Sequence, residues 1–148
     1  MVERTRHVEI SGLKEFKKMA DKIAPRRARA LARSAVHAVA GEVRNEMRRR
    51  APKDEGTLRK AIHSKRRRGS PVEAVSDVRI SHGRGAKHDA WYWHMIEFGT
   101  TKAPAQPFIR PAVDKLQGQV PQMFRDHFGK RLEKELDKEA KKQGAGKR

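Results

Sequence analysis

The sequence predicts an α+β fold: two N-terminal helices, the second one long, then a small antiparallel sheet, then a long C-terminal helix. Three observations carry that reading. Apolar residues recur at spacings of three and four over residues 26–50 and again over 113–140, the period of an amphipathic helix. Between them, Val72, Ala74, Ser76, Val78 and Ile80 alternate with Glu73, Val75, Asp77 and Arg79, the period of a half-buried strand. Helices, then strands, then a helix imply helices packed on one face of a small sheet.

Residues 7–10 suit a short first strand, broken at Ser11-Gly12. Ser11 is a plausible cap for a first helix over 13–23, with Leu13, Phe16, Met19, Ala20 and Ile23 on one face. Pro25 fits the first turn of the second helix. Its stripe of Ala28, Leu31, Ala35, Val39, Val43 and Met47 is narrow in side-chain volume and allows close approach of a neighbouring element. Ala51-Pro52 ends it, and residues 53–56 form a turn. Thr57 opens a short turn through Leu58 and Ile62, and residues 65–71 read as a basic hairpin or exposed loop. Residues 81–89, with two Gly and two His, read as a mobile loop. Residues 91–100 are expected as a strand, or as a short helical turn running into one. Pro107 and Pro111 frame the start of the last helix, and Gly118 with Pro121 predicts a kink or break in it. Residues 1–142 are expected to form a single domain, and 143–148 a flexible basic tail.

Composition narrows the function. Hydrophobic residues are 36% of 148 and aromatics only 5%, and much of the apolar count is Ala. At roughly 25 cal/mol per Å² buried, so little large apolar area barely offsets backbone entropy. Other subunits are therefore expected to complete the core, which predicts a homo-oligomer. Lys and Arg number 36 against 18 Asp and Glu, a formal charge of +18 that favours nucleic acid, anionic surfaces or acidic proteins as partners. With no cysteine, disulfides and thiolate metal sites are excluded. No stretch approaches the roughly 18 uncharged residues of a membrane span, and no apolar leader follows Met1, so a soluble protein made in the cytoplasm is expected, without membrane partners.

No catalytic constellation stands out. There is no Gly-x-Ser-x-Gly, and acidic residues fall mostly in helical charge patterns rather than as a converging pair. His94 and Glu97 have an i, i+3 spacing with His82 and His88 nearby, but there is no HExxH, and a Trp and Phe context suits packing better than a hydrated ion. Residues 83–87 are glycine-rich and basic without the spacing of a phosphate loop. The expectation is no catalytic residue, no metal and no cofactor. A small basic ribonuclease, whose chemistry carries no motif, is the remaining enzymatic alternative, and a free-standing nucleic-acid-binding protein is a second alternative.

Two regions are the candidate sites. One is the aromatic segment and its sequel: Trp91, Trp93, Ile96, Glu97, Phe98, Gly99 and Thr100, then Pro107, Phe108, Arg110 and Pro111, read as a core and subunit-interface motif. Glu97, if buried among aromatics, needs a partner, and Arg59 or Arg110 are candidates for bidentate pairing. The other is the basic stretch, where residues 26–68 hold 15 Lys or Arg against 4 Asp or Glu. Arg26, Arg29, Arg33, Arg44, Arg48, Lys65, Arg66, Arg67 and Arg68 are the candidates for facing phosphates or acidic partners.

The segments VEISGLKEF, APKDEGTLRKAI and HMIEFGTTKAPAQPFIRPA, with the closing helix, resemble in order and spacing a family of tailed-bacteriophage proteins. These are the small tail-component or head–tail joining proteins of the HK-ninety-seven type. The resemblance spans residues 8–136, and its characteristic positions match Gly12, Leu13, Ala51, Pro52, Gly56, Leu58, Arg59, Glu97, Phe98, Gly99, Thr100, Pro107, Phe108, Arg110 and Pro111. The run 65–68 and the Trp-flanked approach to Glu97 depart from the usual pattern. The resemblance implies an α+β domain without enzymatic activity that forms a ring at the neck or upper end of a long, non-contractile tail. The implied partners are copies of itself, neighbouring head-connector and tail proteins, and packaged DNA. The implied location is the virion, after synthesis in the bacterial host cytoplasm.

Overall fold

The computed structural model of the chain describes residues 21, 23–53, 56–68 and 74–145. The strand expected over 7–10 and nearly all of the first helix expected over 13–23 lie outside them. The second helix is present as α1, Pro25–Arg50. Pro25 sits in the first turn, where its missing N–H has no partner to lose. Arg48, Arg49 and Arg50 put positive charge at the negative end of the helix dipole.

Gly56, with φ of 74°, turns the chain into a short helix α2, Thr57–Ala61. It leads directly into β1, Ile62–Arg66, which pairs antiparallel with β2, Ser76–Ile80. The register sets Ile62 opposite Ile80 and Ser64 opposite Val78, on the face that meets α1. Lys65 and Asp77 stand opposite each other on the other face. The basic run expected as a hairpin or an exposed loop is partly strand: Lys65 and Arg66 end β1, and Arg67 donates its backbone N–H to Val75 (3.1 Å), extending the ladder. Among the described residues the sheet has two strands.

The segment 91–100, expected as a strand or as a short helical turn running into one, holds a helix, α3, Trp93–Phe98, with no strand after it. A short run apolar on every side fits either period, so its pattern could not decide. The core decides: Tyr92, Trp93 and Ile96 pack together against it, the grouping that helical spacing supplies. Helix α4, Ile109–Leu116, follows, then a break at residues 117–119 where Gly118 lies, then α5, Val120–Ala145. That break is where the sequence placed it. Helix α5 runs through Ala145, so residues 143–145, expected in a flexible tail, are helical instead.

Helix α1 is the hub, with the sheet, α4 and α5 all packing on it. Two apolar clusters sit along its length. One gathers Met47, Ala51, Leu58, Ile62, Phe108 and Ala112; the other gathers Ile23, Ala35, Phe128 and Leu132. Between them lies an apolar groove of about 560 Å³, bounded by Val36 and Val43 of α1, Val78 of β2, Val113 of α4, and Val120 and Phe124 of α5.

Phe108 is wholly buried at the centre of the first cluster. Phe108→Ala is expected to lower unfolding stability by about 3–5 kcal/mol, the range for deleting a buried aromatic. Denaturant titration by far-UV circular dichroism measures it.

Candidate functional site

The site grows from the reversal between α3 and α4. Gly99 ends α3, its N–H donating to the Met95 carbonyl (2.9 Å) with φ of 77°. A side chain has no room there, since a Cβ would lie 2.8 Å from the Ala105 nitrogen. Thr100 then folds the chain back, its Oγ1 accepting from the Ala103 N–H (3.1 Å) and its own N–H donating to the Ala103 carbonyl (2.9 Å). The Gln106 N–H reaches the Ile96 carbonyl (2.8 Å), which sets Phe108 beside α3.

This reversal delivers the first N–H groups of α4 to Glu97. Its Oε2 accepts from the N–H of Phe108 (2.7 Å) and of Ile109 (2.9 Å), and its Oε1 from the N–H of Arg110 (3.0 Å). Phe108, at the cap position, has no capping oxygen of its own, and Pro111 has no N–H to satisfy. Glu97 therefore caps a helix in a different part of the chain and is only 7% exposed while doing so. A carboxylate also suits the positive end of the helix dipole. The expected pairing with Arg59 or Arg110 is corrected: burial of Glu97 holds, but its partners are backbone amides. Arg59 instead donates to the Ala51 carbonyl through Nε (3.0 Å) and Nη2 (2.7 Å), fastening the end of α1 to α2.

The rest of the aromatic motif divides by direction. Trp93 and Ile96 face the core, whereas Trp91 is 57% exposed, Met95 38% and Phe98 69%. Met95 and Phe98, three apart, share the outer side of α3, and Trp91 stands exposed in the turn just before it, so the three make an outward apolar ridge. Trp91 is held at its backbone by Asp89, whose Oδ1 accepts from the N–H of Trp91 (3.2 Å) and of Gly83 (2.8 Å). That carboxylate closes the loop expected to be mobile. Pro107 is exposed, Arg110 points outward and Pro111 is half-buried.

The basic candidates also divide. Arg26 and Arg29 lie at the surface of α1, as do Arg33 farther along it and Lys65, Arg66, Arg67 and Arg68 at the far end of β1. Arg44 and Arg48 turn toward the sheet instead: Arg44 donates to Ser64 Oγ (3.3 Å), and Arg48 to the Ile62 carbonyl through Nε (2.9 Å) and Nη2 (2.6 Å). His37, farther up the same side, meets Ser76 Oγ at 2.8 Å. Burial, then the nearby Arg66, Arg44 and Arg131, lower the His37 pKa, so this ring tends to stay neutral. Among the described residues, Arg48, Arg49, Arg59, Lys60 and His88 line a shallow hollow of about 480 Å³.

Sequence reasoning missed Glu46, which is 2% exposed on the apolar stripe of α1. Lys115 of α4 donates to its Oε1 (3.1 Å), as does Arg50 (2.9 Å), and Arg49 pairs with Oε2. The Lys115 hydrogen bond, helped by Arg50 and Arg49, holds its carboxyl below the ordinary range against the opposing effect of burial. A carboxylate three residues past Val43 on an apolar stripe was the available signal; its partner 69 positions away was not.

Among the described residues no group of His, Asp and Glu is arranged to hold a metal ion. Carboxylates bound to backbone amides and Lys, with apolar side chains turned outward, define a module built around packing and contact. Residues 14–99 match the family described as "Bacteriophage HK97-gp10, putative tail-component", and the chain belongs to that family. No curated protein and no solved structure matches it. The match ends at Gly99, so the α4 amides that Glu97 caps lie just beyond it.

Two outcomes are expected. Glu97→Gln removes one acceptor oxygen from a buried set of three N–H groups and lowers stability by about 1–3 kcal/mol, with hydrogen-exchange protection lost first at the amides of Phe108, Ile109 and Arg110. Acid lowers the melting temperature in two windows, because a group whose pKa is depressed on folding stabilises above its unfolded value and loses that contribution as pH falls through the folded one. For His37 the loss begins near pH 6.5 and for Glu46 near pH 4.3. Lys115→Met flattens only the lower window in a series of thermal melts.

Proposed function

We propose that this chain is a structural virion protein of a long-tailed bacteriophage, assembling as a homo-oligomeric ring at the neck or top of the tail. There it completes the tail or joins it to the DNA-filled head. Membership of a phage tail-component family carries this reading. Three features of the chain support it. An apolar ridge stands in solvent on α3, as on a subunit awaiting a neighbour. The core along α1 is interrupted by an apolar groove rather than continuous. The outward cations form a sequence-independent surface for the phosphates of DNA in transit.

The action is mechanical. Rigid copies pack side by side, and the ring matches the head connector on one side to tail proteins on the other. Substrate turnover has no part in it. No helix among the described residues is long and apolar enough to cross a membrane. The hollow of Arg48, Arg49, Arg59, Lys60 and His88 favours a second reading, a free-standing nucleic-acid-binding protein. In that case the protein binds DNA as a monomer and is absent from particles.

Mass spectrometry of purified virions is expected to find the chain in mature particles, and a nonsense mutant to accumulate separate heads and tails. Absence from virions with normal particle yield overturns the reading. DNA binding by the assembled protein is expected to weaken as salt rises. Lys60→Ala or Arg66→Ala is expected to reduce the slope of log K against log salt by roughly one where the residue meets a phosphate. Titration at several salt concentrations measures that slope.

A further inference from the structure

We propose that the ridge of Trp91, Met95 and Phe98 on one copy seats in the apolar groove between α1, β2, α4 and α5 of the next copy. This rests on the ring reading and specifies its interface. The ridge and the groove are different surfaces of one chain: no residue from 81–108 lines the groove, and the ridge side chains stand in solvent. Each copy therefore carries one apolar projection and one apolar recess. A contact between unlike surfaces repeats head to tail and closes into a ring when the rotation permits, whereas like-to-like contact stops at a dimer.

Charge selects the occupant. Copies of a chain with net charge +18 repel one another across most of their surface. Among the described residues, none of the side chains lining the groove is charged, from Val36, Val43 and Val78 to Val113, Val120 and Phe124. Nor is any of the three in the ridge. These are surfaces where two such chains approach without setting Lys and Arg against each other. Size also agrees: two aromatics and a methionine, with each aromatic burying roughly 150–250 Å², form the central anchor of a standard interface of about 800 Å² per partner. The groove lies between the two apolar clusters of α1, so a seated ridge joins them into one continuous core.

The protein contains no cysteine, which makes the contact directly testable on the full chain. Met95→Cys marks the ridge, and Gln117→Cys marks the exposed rim of the groove. With a short bis-maleimide, the double variant is expected to give a ladder of covalent multimers ending at the subunit number of the ring, while each single variant gives none. Phe98→Asp, at the most exposed position of the ridge, is expected to weaken association at least tenfold in sedimentation velocity while far-UV circular dichroism shows the fold of each copy unchanged. A double variant without a ladder, in a protein that still sediments as an oligomer, overturns the interface and leaves the ring standing. Dimers from Met95→Cys alone mean a ridge-to-ridge contact and overturn it as well. Cross-linking within one chain in a Phe16→Cys, Gln117→Cys variant assigns the groove to the N-terminal segment and likewise overturns the interface. A wild-type chain that sediments only as a monomer removes the ring and the interface together.

Discussion

The buried Glu97 carboxylate on the first amides of α4 is the constraint on which the rest of this domain depends. A helix start leaves N–H groups without partners, and burying them unsatisfied costs free energy comparable to a lost hydrogen bond. The residue at the cap of α4 is Phe108, which fills the core and cannot also accept a hydrogen bond. Glu97 removes that conflict from eleven residues upstream. Its three bonds require the tight reversal at Gly99 and Thr100, and the reversal in turn fixes where Phe108 enters the core. Cap, turn and core anchor are one device.

A second carboxylate does the same kind of work between elements. Glu46 on α1 takes Lys115 from α4, so the helix started by Glu97 is also held at its far end. Both carboxylates are nearly buried, and each has several donors, the condition under which buried charge is tolerated. The cations are used more unevenly. Arg44, Arg48 and Arg59 are committed to carbonyls and a hydroxyl that bind α1 to the sheet and to α2. Among the described residues, much of the remaining positive charge lies at the surface, from Arg26, Arg29 and Arg33 to Lys65, Arg66, Arg67 and Arg68. Asp77 moderates it locally, with Arg79 at 2.9 Å and Arg67 at 3.8 Å on the outer face of the sheet.

For a member of a phage tail-component family, one short segment supplies both buried packing and outward-facing apolar side chains. One side of α3 buries Trp93, Ile96 and Glu97; the opposite side displays Met95 and Phe98, with Trp91 exposed in the turn before the helix.

The sequence by itself determined the long helices, the α1 boundaries, the break at residues 117–119 and the 76–80 part of the alternating strand, because periodicity and proline act locally. It also singled out the residues from Trp91 to Pro111, since so many aromatics and prolines together have few other uses in an apolar-poor chain. It could not decide strand against helix at α3, where apolar side chains on every side satisfy both periods. It could not reveal that the partner of Glu97 is a helix end rather than an arginine, because backbone amides leave no mark in a sequence. Nor could it separate Arg44 and Arg48, spent on the sheet, from the cations left in solvent. Those outcomes belong to the tertiary structure alone: which groups lose water, and which donors stand close enough to replace it, is settled only when distant segments pack.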